Sequence, residues 1–359
     1  MNDDSMKLID VQTNILMTLA LACSLLLSAC GGSSVSSENM SSSPIVTDMG
    51  NVPNTGAVIL KAPKLSFSDT GVSVSDGITR NGLWAVESDL SWEYSLNQGM
   101  TWTLGTGSSF EVKGDGPKMI WVRARDNAGN TSEVVVVTCV LDTMPPPPIT
   151  VASGFEGLTR SLQLADLESG AKWEYALDSK LNWLAGSGSG LGTLGNGLNT
   201  IWLRQIDIAG NASAPRAFDL SSTDPGLSHE ASTFPLQPSP LAKGFQTMLI
   251  HGVVVRGDAD YVNWVIPKNH RLKSLKLVRY ISDDAIAFFA VQASDVFDAG
   301  VDVNRMLVYG HMGPADINRN VITNVPLEKL GEGPMTIWFQ QTGLLPTEYA
   351  IEISIQAVN

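Results

Sequence analysis

The chain has 359 residues, too many for one compact domain and enough for two to four. Charged residues make up only 16%, and the net charge is −13. That balance excludes a nucleic-acid binder, which needs basic clusters to displace counterions from phosphates.

Ile15 to Leu27 is a mostly apolar run, the length of a signal-peptide core and too short to span a bilayer. It ends in Leu27-Ser28-Ala29-Cys30-Gly31-Gly32, which resembles the lipobox of bacterial lipoproteins. The resemblance implies loss of residues 1–29, acylation of Cys30 and a membrane partner engaged through N-terminal lipid, worth about 0.8 kcal/mol per buried CH₂. Gly31, where some relatives have aspartate, implies sorting to an outer membrane, on its surface or its periplasmic face. The leader departs from the family at Asp3, Asp4 and Asp10, which make its front acidic; a start at Met6 would restore a basic Met6-Lys7-Leu8. Leader removal takes 36 acids to 33 and 23 bases to 22, for a net charge near −11. Cys23 leaves with the leader and Cys30 is taken by lipid. Cys139 is then alone, without a disulfide or a cysteine-based metal site. Residues 30–57, rich in Ser, Gly and Asn, read as a flexible tether with a reach of roughly 30 Å.

An internal duplication follows. Trp92-Glu93-Tyr94-Ser95-Leu96 matches Trp173-Glu174-Tyr175-Ala176-Leu177, and Trp102 matches Trp183. Ile120-Trp121-Val122-Arg123 matches Ile201-Trp202-Leu203-Arg204. Asp126, Ala128, Gly129, Asn130 and Ser132 match Asp207, Ala209, Gly210, Asn211 and Ser213, every pair 81 residues apart. That period suits one small β-sandwich per repeat, over 58–144 and 145–224. Alternation puts Trp92, Tyr94 and Leu96 on one strand face. Val134 to Leu141 reads as a β-branched run that is buried or in a sheet core, and Asp126 to Asn130 as the turn before it.

At these residues the chain resembles the tandem bacterial Ig-like domains of surface adhesins and biofilm proteins. The marks are W-E-Y-S-L…W, then I-W-V-R-x-x-D-x-A-G-N, then the joint Asp142-Thr143-Met144-Pro145. In some relatives, joint aspartates bind structural Ca²⁺ and stiffen the array. The resemblance implies Asp126, Asp142 and Asp207 as metal candidates here; turn capping is the competing reading. The paired tryptophans are either sandwich core or a sugar platform.

Residues 225–243, with four prolines, read as a linker. From 244 to 359 the pattern resumes. Strands are expected at 248–255, 261–266, 285–293, 306–309, 335–340 and 349–356, a C-terminal sandwich. Asp258-Ala259-Asp260-Tyr261-Val262 and Gly333-Pro334-Met335-Thr336-Ile337-Trp338-Phe339 partly resemble a sandwich module appended to secreted proteases. Its acids, among them Asp283, Asp284, Asp295, Asp298 and Asp302, fit no EF-hand spacing.

The fold class expected is therefore all-β, with tandem Ig-like sandwiches and a C-terminal sandwich after a leader and tether. No G-x-S-x-G or H-E-x-x-H occurs, so no enzyme is expected. His311, in a turn-like Tyr309-Gly310-His311 setting, is the histidine with most chemical interest. The expected function is non-catalytic adhesion at the cell surface, with polysaccharide, matrix or envelope protein as partner. A periplasm-facing scaffold or accessory subunit is the alternative, and a polysaccharide-active enzyme a third reading.

Overall fold

The computed structural model describes residues 59–179, 182–220, 231–298 and 302–358. The protein is all-β, as expected. The first unit contains β1 (Lys64–Phe67), β2 (Ile78–Thr79), β3 (Leu83–Glu87), β4 (Ser91–Ser95), β5 (Thr103–Leu104), β6 (Ser109–Glu111), β7 (Gly116–Arg125) and β8 (Val135–Leu141). They form two sheets, β1-β3-β6 and β2-β8-β7-β4-β5. Trp84, Val86, Trp92, Ile120, Val122 and Cys139 fill the space between them.

The second unit contains β9 (Thr150–Glu156), β10 (Thr159–Ala165), β11 (Lys172–Leu177), β12 (Leu184–Ala185), β13 (Gly190–Gly195), β14 (Thr200–Ile206) and β15 (Arg216–Asp219). The duplication is physical as well as textual. Trp92 donates its indole N–H to the Gly107 carbonyl at 2.9 Å, and Trp173 does the same to Gly188 at 2.8 Å. A Cβ on Gly105 or Gly186 would sit 2.3 or 2.2 Å from the respective ring, so only glycine lets the indole lie there.

The C-terminal region contains β16 (Ser239–Pro240), β17 (Thr247–Val254), β18 (Ala259–Ile266), β19 (His270–Ile281), β20 (Ala287–Gln292), β21 (Met306–Met312), β22 (Gly333–Gln340) and β23 (Thr347–Ala357). One sheet, β16-β18-β22-β20-β21, belongs to this region alone. The other crosses between regions. Its order is β19-β23-β17-β13-β10-β9, and β13 pairs in parallel with β17 from Leu191↔Thr247 to Gly195↔His251. The second unit and the C-terminal sandwich thus share a central sheet. Alternate residues of β17 serve opposite cores: Met248 and Ile250 pack into the C-terminal core, Leu249 into that of the second unit.

Three sequence expectations change. The run from Val134 to Leu141 is inside a sheet but not wholly buried: Val134 precedes β8, and Val136 is 49% exposed because β8 has one face in solvent. Leu96 lies beyond the end of β4 and is exposed, so it leaves the face of Trp92. The described part of the expected linker is packed: Ala231 and Leu241 are buried in the C-terminal core, and Ser239–Pro240 pair with β18.

The first two units join through the turn after β14. Val72 donates its backbone N–H to the Ile208 carbonyl at 3.2 Å, and the Thr70 hydroxyl donates to Ala209 O at 2.7 Å. Arg80 donates to Gly210 O at 2.6 Å.

Candidate functional site

Cys30 lies outside the described residues. Asp126 sits in the turn between β7 and β8. Its Oδ1 accepts from the N–H groups of Ala128 (3.0 Å) and Asn130 (2.8 Å), and its Oδ2 from the Asn130 amide (2.8 Å). The Asn130 side-chain hydrogen bond is the main cause that holds this carboxyl below the usual range. Asp207 caps the equivalent turn through Asn211 N and Nδ2, at 2.8 and 2.9 Å. The Asn211 amide also donates to the carbonyl of Asp142 at 2.8 Å, and so ties the two units together. Asp142 Oδ1 accepts from Met144 N at 3.1 Å. Nearby, burial and then the charges of Asp207 and Asp142 raise the Glu168 pKa. As placed, these aspartates receive N–H donors. Among the described residues no group of three or more His, Cys, Asp or Glu is arranged to hold a metal ion.

The titratable groups in the interior are consumed by structure. His251 is sealed between β17 and β13: Nδ1 lies 2.7 Å from Asn196 O and Nε2 2.7 Å from the Thr193 hydroxyl. Burial lowers its pKa to about 4. Tyr175 donates to Glu352 at 2.6 Å, and Tyr349 to Asp260 at 2.7 Å. Burial first, then the neighbouring carboxylate, pushes both phenols well up. Arg279 pairs with Asp178 of the second unit and with Glu348 on β23. These groups clamp the shared sheet.

The tryptophans sort into distinct roles. Trp92 and Trp173 are core. Trp102 lies under the Arg123 guanidinium at 3.9 Å, and Trp183 under that of Arg204 at 4.0 Å. Each arginine is ion-paired in turn, Arg123 Nε donating to Glu93 at 2.6 Å and Arg204 Nε to Glu174 at 2.8 Å. Those ring faces are therefore already occupied, and a sugar platform there is unfavourable.

The C-terminal sandwich differs. Along β22, Met335, Ile337 and Phe339 point into the core. The strand period of two therefore sends Trp338 to the outer face. It stands opposite Tyr261 of β18, ring centroids 5.9 Å apart and planes 20° apart. On its other side Phe288 of β20 meets it edge-on at 4.8 Å, and His311 of β21 meets Phe288 at 5.9 Å. Phe297, from the loop after β20, packs against Trp338 at 5.4 Å and is buried. Phe288 and Trp338 are half-buried, His311 is exposed, and Tyr309 is 50% exposed. Gln340, half-buried, pairs with Phe288 across the strands. The result is a row of rings across one sheet, partly covered on the Tyr261 side by Phe297 and edged by an imidazole, a phenol and an amide. Such a face combines apolar area with hydrogen-bonding groups at its rim.

No protein-family model matches the chain. No curated protein matches it either. Among solved structures, one described as carbohydrate-binding modules from the beta-sandwich superfamily is similar at 11% identity, over 83% of this chain and 99% of that one, with TM-score 0.22. Chicken CNTN1 FN1-FN3 domains are similar at 9% identity, over 78% of this chain and 90% of that one, with TM-score 0.18.

Proposed function

We propose that this protein is a non-catalytic binding protein, tethered to a membrane by lipid on Cys30, whose C-terminal sandwich recognises a polysaccharide. The observation that carries the reading is the row Phe288–Trp338 with His311, Tyr309 and Gln340 at its edge. A sugar ring offers an apolar face of C–H groups and a rim of hydroxyls. Aromatic rings complement the first, and amide, phenol and imidazole groups the second. The adhesion role joins three parts: anchor for location, Ig-like units for spacing, sandwich for recognition.

The test is affinity electrophoresis of the purified chain through gels containing bacterial and host-matrix polysaccharides. The chain is expected to be retarded by at least one of them. Trp338→Ala and the more exposed Tyr309→Ala should each weaken that retardation at least tenfold, about 1.4 kcal/mol. Retention of full affinity by both variants, at unchanged melting temperature, would overturn the assignment of this face. Absence of retardation by every polysaccharide favours the envelope-scaffold reading instead.

A further inference from the structure

The shared central sheet ends at β9, and this edge is unlike the others. At the opposite edge, β19 carries Arg271, Lys273, Lys276 and Arg279, and its pairing shifts twice, between Leu272 and Ser274 and between Leu277 and Arg279. The pairing of the edge strand β21 is bulged between Val291 and Gln292. The edges β1, β2, β5, β6, β12, β15 and β16 are two to four residues long. Short, charged or bulged edges are the usual protection against strand addition. By contrast, β9 has seven residues, Thr-Val-Ala-Ser-Gly-Phe-Glu, with no proline, lysine or arginine. It pairs with β10 in unbroken register, and all its residues but Val151 are exposed.

Its backbone phase follows from the hairpin it belongs to. Gly157, at φ 60°, and Leu158 form a two-residue turn, so Glu156 and Thr159 are its closing pair. In such a hairpin the closing pair is hydrogen-bonded, and bonding alternates from there. The N–H and C=O groups of Val151, Ser153 and Phe155 therefore point away from β10, toward the open side.

We infer that β9 is the surface through which two copies of this chain join, edge to edge and antiparallel, about a two-fold axis at Ser153. This register pairs all seven residues. Ser153 faces its own counterpart, and Val151 of each copy faces Phe155 of the other. All three are the residues with outward backbone groups, so the pairing closes about six hydrogen bonds. Phe155 is 42% exposed and shares a face with Val151, which packs against the second unit's core. Two apolar cross-strand pairs would extend that core across the axis. The only charge in the strand, Glu156, falls opposite Thr150, so no like charges meet. That self-complementarity favours a second copy as the occupant over an unrelated strand.

Cysteine cross-linking in the full chain tests both pairing and register. Ser153→Cys places two thiols on the axis, at the Cα separation of a paired residue and within disulfide reach. Thr150→Cys, on the same strand, places its thiol opposite Glu156 and away from its own counterpart. The expected result on mild oxidation is a disulfide-linked dimer for Ser153→Cys, and no increase over the parent chain for Thr150→Cys. Equal cross-linking of both variants, or of neither, overturns the inference. As a second measurement, Ser153→Lys brings two like charges together on the axis from a solvent-exposed position. It should convert the sedimenting dimer to monomer at unchanged melting temperature. A parent chain that sediments as a monomer throughout the micromolar range would likewise overturn it.

Discussion

Between β13 and β17, His251 has both ring nitrogens engaged and is buried. Burial is the main cause of its low pKa; Asp178 acts against the shift and Arg279 with it. A folded-state pKa near 4, against 6.5 for the free side chain, means that the fold holds the neutral imidazole. Between those values the unfolded chain binds the extra proton, so stability rises with pH. The contribution is complete above pH 6.5 and is lost as pH falls toward 4, for a total of roughly 3 kcal/mol. Urea unfolding at pH 7 and pH 4.5, for the parent and for His251→Gln, isolates this group from the many carboxylates. The parent should lose more stability on acidification than the variant; equal losses would show that His251 does not carry the linkage. Nothing local distinguishes this histidine in Leu249-Ile250-His251-Gly252, since its partners Thr193 and Asn196 lie more than fifty residues away. By contrast, the capping role of Asp126 and Asp207 was readable as one of two alternatives, because a turn of the form D-x-A-G-N supplies its own donors. Trp338 was readable as a strand residue only. In Met335-Thr336-Ile337-Trp338-Phe339 nearly every residue is apolar, so alternation does not reveal which face meets solvent.

Strands that stand alone in the sequence were legible; strands defined by a distant partner were not. All six expected C-terminal strands are present as β17, β18, β20, β21, β22 and β23. The longest strand, β19, escaped notice because its two bulges break the period of two and its basic residues interrupt the apolar pattern. β13 is Gly-Leu-Gly-Thr-Leu-Gly, which reads as loop; its value lies in letting another backbone come close. The extreme case is Gly195, at φ 130°, where a Cβ would fall 1.6 Å from the carbonyl oxygen of His251. Gly195→Ala must therefore push β13 away from β17 and open the shared sheet. A loss of about 3 kcal/mol or more is expected from combined overpacking and backbone strain. Gly154→Ala on β9 is the matched control, because nothing lies within 4 Å of its Cβ position. It should be neutral to within about 0.5 kcal/mol. Calorimetry adds a qualitative sign. The second unit and the C-terminal sandwich should melt in one transition in the parent, and in two when Gly195→Ala weakens the seam. Separate transitions in the parent would contradict a cooperative shared sheet.

At the scale of the whole molecule, the 81-residue duplication was legible in the sequence, whereas the expected boundary between the second unit and the C-terminal sandwich is crossed by a shared sheet. That fusion was not legible, because a parallel pair such as β13 and β17 leaves no local turn to announce it. The fusion joins the C-terminal sandwich to the second unit through β13 and β17, while the aromatic row lies on the other sheet of that sandwich, β16-β18-β22-β20-β21. Among the described residues no helix is long and apolar enough to cross a membrane. A net charge of −13 opposes electrostatic attraction to anionic lipid. Lipid on Cys30 is the proposed attachment, and several acyl chains hold stably where one would not. Cys30→Ser should therefore move the protein from the membrane pellet to the soluble fraction, while the parent resists a high-pH wash that strips peripheral proteins. Metabolic labelling with a radioactive fatty acid should mark the parent and not the variant. A Cys30→Ser chain that still pellets and resists the wash would place the anchor elsewhere. A labelled parent whose C-terminal sandwich is cleaved by protease on intact cells would give the aromatic face access to polysaccharide outside the cell. Protection until the outer membrane is opened would turn the same anchor and the same face toward an envelope partner.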